Sequence, residues 1–162
     1  MYQKITKIGG AGSLVPITGF ARWDVLHDKS EGHREILMMP TWRTWLDDAE
    51  NEVFAESDYC KNYMALLNDP RLDDILKRYD VTLNFYLHPK FRKFITEFSV
   101  VSENIRLIPF GEEPLNELMM TCNLLITDFS SVAWDVYYMN KPVLFYHFDL
   151  DDAYKTLGFY MD

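Results

Sequence analysis

A chain of 162 residues is sized for one domain, and 48% hydrophobic content supplies a packed core rather than a disordered tail. A formal net charge of -9 argues against a nucleic-acid partner, which needs surplus Lys and Arg to neutralise phosphates, and against a polybasic membrane contact in this segment. No apolar run approaches the roughly 18 residues that span a bilayer, and the opening MYQKITKIGG lacks the apolar heart of a signal peptide.

Residues 1–35 read as an irregular lead-in, punctuated by Gly9, Gly10, Gly12, Pro16 and Gly19 and closed by the polar stretch HDKSEGHRE. Residues 36–162 read as the folded domain. Ile36–Met39 is a short apolar run ended by Pro40, as in a buried strand. Asp47–Leu67 has helical spacing, and Arg71–Tyr79 continues it with Leu72, Ile75 and Leu76 on one face. Val81–Leu87 is rich in strand formers. Phe91–Phe98 returns to helical spacing, and Ile105–Ile108 is a strand. Leu115–Cys122 is a helix with Pro114 near its first turn. Leu124–Thr127 is an apolar strand that runs into Asp128. Ser130–Met139 is a helix stopped by Asn140-Lys141-Pro142, and Val143–Tyr146 is the last strand. Cys60 and Cys122 lack metal-ligand spacing and fall in helical runs, so two buried free thiols in a reducing compartment are expected.

Strands alternating with helices imply crossover connections and a parallel sheet covered on both faces. The expected fold is α/β, a Rossmann-like doubly wound domain of about five strands. Ligands of such sheets bind beyond the carboxyl ends of the strands, near the switch in strand order. That rule selects Pro40-Thr41-Trp42-Arg43, His88-Pro89-Lys90 and Asp128-Phe129-Ser130-Ser131. In the common strand order the first and third of these are neighbours, with the second beside the first.

Each segment has a plain and a functional reading. Asp128, Ser130 and Ser131 form a strand-to-helix turn that either caps the helix or offers hydroxyl and N–H donors to a phosphate; one geometry serves both. His88, pushed to an extended backbone by Pro89, is a structural histidine or a donor or general acid at a phosphate. Arg43 is a surface residue paired with Asp47 or Asp48, or a bidentate phosphate ligand. Thr41 caps the following helix or faces the ligand. Trp42 and Trp45 wall a cleft or simply pack. His27 and His33 read as inert linker residues, and His147 as a less favoured ligand neighbour. Asp149, Asp151 and Asp152 read as an acidic loop capping the next helix rather than a metal site, and Asp135 as a helper of the serine turn. No Walker motif, GxGxxG, HExxH or GxSxG occurs; no metal and no cofactor are expected.

Taken in order, ITGFARWDVL (17–26), ILMMPTWRTWL (36–46), LHPKF (87–91), LLITDFSSVAWDVYYMNKPVLFYHFDLDDAY (124–154) and GFYMD (158–162) resemble the CDP-glycerol glycerophosphotransferases, the primases and polymerases of teichoic acid and their relatives in capsule synthesis. DFSSVAWD…KPVLFY is the most specific block and PTWR the next. The resemblance implies the C-terminal half of a GT-B fold, the half that grips a CDP-activated donor. It implies that Thr41 and Arg43 line the donor side of the cleft. His88 would sit on the pyrophosphate, as its stabiliser or as general acid, and Asp128, Ser130 and Ser131 would hold phosphate or glycerol hydroxyls. The donor would be CDP-glycerol or a related CDP-alditol. A polymer or lipid-linked acceptor would be read by an N-terminal domain that also carries the catalytic base and is not matched here, so this chain alone is expected to be inactive. The full-length enzyme would lie at the cytoplasmic face of the bacterial membrane. Two departures stand out: Ala21 precedes Arg22 where the family often has proline, and Phe129 replaces a common tyrosine. The alternatives are a GT-B glycosyltransferase domain that uses a nucleotide sugar, and a binding or scaffold remnant without a ligand.

Overall fold

The computed structural model describes residues 6–7, 14–15 and 19–157. Within the lead-in, β1 (Thr6–Lys7) and β2 (Leu14–Val15) pair antiparallel, and Ala21–Asp24 form one 3-10 turn. The remainder is β3 (Glu35–Met38), α1 (Asn51–Ala55), α2 (Asp58–Leu67), α3 (Pro70–Tyr79), β4 (Thr82–Tyr86), β5 (Ile105–Ile108), α4 (Leu115–Thr121), β6 (Leu124–Thr127), α5 (Val132–Tyr138), β7 (Val143–Phe145) and α6 (Leu150–Leu157). The GFYMD segment lies outside the described residues.

Five strands form one parallel sheet in the order β5-β4-β3-β6-β7. This is the Rossmann-like doubly wound order expected of one half of a GT-B fold, with the switch between β3 and β6. Strand alternation sends Ile36 and Met38 to one face and Leu37 and Met39 to the other. The first face is aromatic: Phe54, Tyr63, Phe85, Phe91 and Phe94 are all but inaccessible beneath α1 to α3, and the Phe54 and Phe94 rings stack at 3.9 Å. Leu118, Met120, Leu125 and Val136 fill the second face under α4 and α5. Each such side chain contributes about 1.5–3 kcal/mol by leaving water.

Two expected elements change form. The run 47–67 is not one helix. It breaks after α1 because Ser57 caps α2, its Oγ accepting from the Cys60 N–H at 3.2 Å, and Val53 of α1 stays exposed. Phe91–Phe98 lies in a 3-10 segment, Pro89–Glu97, which still buries Phe91 and Phe94. The stop after α5 forms as expected: Asn140 takes a left-handed φ of 59°, which asparagine tolerates better than most residues, and Pro142 follows. Lys141 is buried there. Its Nζ donates to the carbonyls of Met120, Cys122 (2.8 Å) and Met119 (3.1 Å) at the C-terminal end of α4 and pairs with Asp28 at 3.0 Å. A cation suits the negative end of the helix dipole. Cys60 and Cys122 are free and buried, and burial pushes both thiols up to about 11.

Candidate functional site

Because β4, β3 and β6 are adjacent and parallel, their carboxyl ends open on one rim. Thr41, Arg43, His88, Asp128, Ser130 and Ser131 all follow those three ends. The six then divide by depth: Arg43 and Asp128 are buried, Thr41, His88 and Ser130 are half-buried, and Ser131 is exposed.

Arg43 is 0% exposed. It is not the surface residue paired with Asp47 or Asp48; Asp47 pairs with Lys90 instead, at 3.0 Å. The guanidinium makes a bidentate pair with Asp149, Nε at 2.7 Å and Nη2 at 3.0 Å. Nη2 also reaches Asp128 at 2.9 Å, and Nη1 donates to the Thr41 carbonyl at 2.7 Å. Rings of Phe129, Tyr59 and Phe148 surround it at 5.1, 5.3 and 5.8 Å. Burial opposes its charge, but Asp149 and Asp128 outweigh that and raise its pKa above the usual value. Its donors hold the loops after β3, β6 and β7 together.

Asp128 is spent in the same way. One carboxylate oxygen accepts from the Thr41 N–H at 2.8 Å and from its neighbour Phe129 N–H at 2.7 Å. The other meets Arg43 and accepts from the Tyr63 hydroxyl at 3.2 Å. The Thr41 hydroxyl caps no helix; it is buried with no partner among the described residues.

What remains on the open side of the rim is His88, Ser130 and Ser131, joined by His147. His88 has the extended backbone that Pro89 dictates, φ −53° and ψ 140°. Its Nδ1 accepts from the Lys90 N–H at 3.3 Å, so the neutral ring carries its proton on Nε2 as a donor. Burial, then the Lys90 charge, lowers its pKa below 6.5, with Asp47 opposing. Trp42 packs against it with ring centres 6.0 Å apart, and Lys90 covers the Trp42 ring at 4.0 Å. Ser130 caps α5, its Oγ accepting from the Val132 N–H at 3.3 Å, while the Ser131 hydroxyl makes no cap bond. His147 is exposed, bonds the Asp128 carbonyl through Nε2 at 3.0 Å and stacks on Phe129 at 4.6 Å.

Asp135 does not brace the serine turn. Its carboxylate accepts from Arg22 Nε and Trp23 Nε1, both at 2.7 Å, and so clamps the lead-in to α5. Asp149 was readable only as part of an acidic loop, yet it is the main partner of Arg43. An arginine at the end of a buried strand demands a carboxylate, but the sequence offers Asp47 and Asp48 closer by.

The family model described as CDP-Glycerol:Poly(glycerophosphate) glycerophosphotransferase matches residues 16–162. The minor teichoic acid biosynthesis protein GgaB of Bacillus subtilis is 38% identical over 159 residues, covering 87% of this chain and 17% of that protein. The teichoic acid poly(ribitol-phosphate) polymerase of Bacillus spizizenii is 42% identical over 153 residues, covering 88% of this chain and 20% of that protein. The chain thus spans about a fifth of the length of these relatives. Among solved structures, the wall teichoic acid polymerase TagF superposes with a TM-score of 0.51 at 22% identity over 80% of this chain and 29% of that one, a likeness of fold. With a family match over nearly its whole length and relatives of this identity, the chain belongs to the CDP-glycerol:poly(glycerophosphate) glycerophosphotransferase family.

Proposed function

We propose that this chain is the donor-nucleotide-binding domain of a transferase that moves glycerol phosphate, or a related alditol phosphate, from its CDP ester to a polymer or lipid-linked acceptor. The carrying observation is the convergence of Thr41–Arg43, His88 and Asp128–Ser131 on three adjacent strand ends. The acceptor hydroxyl attacks the β-phosphorus, and CMP departs. His88 Nε2–H and the Ser130 and Ser131 hydroxyls donate to diphosphate oxygens, so that charge on the departing phosphate meets fixed donors. Arg43, Asp128 and Thr41 act behind them as positioning residues that fix the loops. The base that takes the acceptor's proton is assigned to a part of the enzyme outside this chain, so the chain alone binds the donor without turning it over. Among the described residues no helix is long and apolar enough to cross a membrane; the attachment proposed for the whole enzyme is peripheral.

The test is a thermal-shift series with CMP, CDP, CDP-glycerol, CDP-ribitol and UDP-sugars. A site for the donor raises Tm by mass action with cytidine diphosphates. A rise with UDP-sugars only would favour a glycosyltransferase, no rise with any of them a remnant without a ligand, and transfer by the isolated chain would refute the division of labour.

A further inference from the structure

The groups proposed to meet the diphosphate are short of positive charge. His88 Nε2–H and the Ser130 and Ser131 hydroxyls are neutral donors, since burial, followed by the Lys90 charge, makes the His88 ring resist a second proton. Arg43 is 0% exposed, and its charge is faced by two carboxylates, Asp149 at 2.7 Å and Asp128 at 2.9 Å. That buried set is left one charge negative. A diphosphate brings charge of the same sign, and a hydrogen bond to it is about twice as strong when the donor is a cation. A further cation at the rim is called for.

Lys90 is placed to supply it. It follows His88 by two residues in the segment after β4, yet its Nζ lies 4.0 Å from the centre of the Trp42 ring, which belongs to the loop after β3. The ammonium thus stands over the end of the strand at the switch. Trp42 in turn packs on His88 with ring centres 6.0 Å apart, and the Lys90 charge is felt at the His88 ring. Asp47 holds Lys90 there, its carboxylate accepting from Nζ at 3.0 Å. Both side chains are partly open to water, 49% for Lys90 and 34% for Asp47, and ion pairs of that kind are weak. A lysine ammonium is a compact charge with three donors on a flexible four-carbon stem, so it can turn from a carboxylate to a phosphate without moving the backbone. Lys93 of the same segment is directed elsewhere, its Nζ donating to the Ala49 carbonyl at 3.0 Å and lying over Phe94. We propose that Lys90 supplies the positive charge of the diphosphate site and that Asp47 competes with the diphosphate for it. The proposal rests on the donor reading above and adds to it a binding residue and an internal competitor.

The experiment is isothermal titration calorimetry of the whole chain with CDP at one ionic strength. Lys90→Met should weaken CDP about tenfold, the low end for a hydrogen bond to a charged group. Lys90→Arg keeps the charge and should stay within about threefold of wild type. Asp47→Asn should act in the opposite direction and tighten CDP about two- to fivefold, the extent to which an exposed ion pair holds its lysine. That gain should vanish in Asp47→Asn combined with Lys90→Met, where no ammonium is left to release. Lys93→Met removes an equal charge from the same segment and should leave CDP affinity near wild type. Equal losses in Lys90→Met and Lys93→Met, or a gain from Asp47→Asn that survives alongside Lys90→Met, would reduce the effect to overall charge and overturn the proposal. The two readings fail separately: a wild type that binds no CDP refutes the donor site, whereas a wild type that binds CDP no better than Lys90→Met refutes only the role of Lys90.

Discussion

Arg43 Nη2 lies 2.9 Å from an Asp128 carboxylate oxygen, with both side chains 0% exposed. A buried ion pair gains little over a well-packed apolar pair, but removing one partner strands the other and costs about 3–5 kcal/mol. Here Arg43→Ala strands two carboxylates and Asp128→Asn weakens four contacts, so both should act on folding before they act on any ligand. Urea unfolding should show losses of about that size for Arg43→Ala, with Arg43→Lys recovering only part because an ammonium cannot reproduce the bidentate fork. A midpoint for Arg43→Ala close to wild type would refute the scaffold role.

His88 is the cleaner probe of ligand binding, because it is half-buried and its ring is held by one backbone bond and Trp42. His88→Ala should leave the ligand-free Tm nearly unchanged. It should also reduce CDP affinity by about ten- to a hundredfold, the range for a hydrogen bond to a charged group. The thermal-shift titration above checks both.

The same residue predicts a pH effect. In the unfolded chain His88 takes up a proton near 6.5, whereas in the fold burial and Lys90 make it resist. The unfolded state then binds more protons, so stability falls as pH drops below 6.5 and on through the lowered pKa, and is unaffected above. His88→Asn should flatten that part of the Tm–pH curve between pH 7.5 and 5. An unchanged slope would place the titration elsewhere.

Much of this was legible in the sequence, for identifiable reasons. The β6 run LLIT and the β7 run VLF are short, apolar and followed or preceded by clear breakers, so strand identity and parallel pairing followed, and with them one shared rim. Depth was not legible. A guanidinium at a strand end reads equally well as a ligand for phosphate or for carboxylate, and only the fold brings Asp149, 106 positions away, onto Nε. The partners of Asp135 were hidden similarly, because Arg22 and Trp23 lie more than 110 positions earlier. The break between α1 and α2 was local and readable, since Ser57 is a ready cap, but the continuing apolar spacing masked it.

Lys141 and Asp28 give a prediction independent of the site. The Ser30 hydroxyl and N–H, followed by Lys141, lower the Asp28 carboxyl to about 2. Its stabilising contribution is present above the ordinary 3.8 and is lost as pH falls through about 2. Lys141→Met removes one donor from each of the Met119, Met120 and Cys122 carbonyls; Met120 keeps the Lys29 N–H at 2.8 Å and Met119 the Cys122 thiol at 3.4 Å, so the Cys122 carbonyl and the emptied buried space carry the loss, at about 1–3 kcal/mol for an acceptor that finds no water. Denaturant melts of Lys141→Met and Asp28→Asn should show a large loss for the first and a small one for the second. Equal losses would mean that the surface ion pair, not the buried cap, holds the end of α4.

Asp135 offers the last test, of how the lead-in is attached. Its carboxylate receives Arg22 and Trp23 at 2.7 Å each, and the Trp23 ring stacks on Tyr138 of the same helix at 4.5 Å. The Arg22 side chain is 47% exposed and that of Asp135 8%, so the aspartate, not the arginine, is the buried and costly member to leave unpaired. Arg22→Ala should therefore change stability little, since Trp23 still satisfies the carboxylate. Trp23→Ala removes both a donor and a ring. Asp135→Ala releases both contacts at once, loosening the segment around residues 20–24 while the sheet beneath stays intact. Limited trypsin digestion reads this directly. Cleavage after Arg22 should be slow in the wild type and much faster in Asp135→Ala, with far-UV circular dichroism unchanged. If cleavage at Arg22 proceeds equally in both, the stacking on Tyr138 and not the carboxylate holds the lead-in against α5.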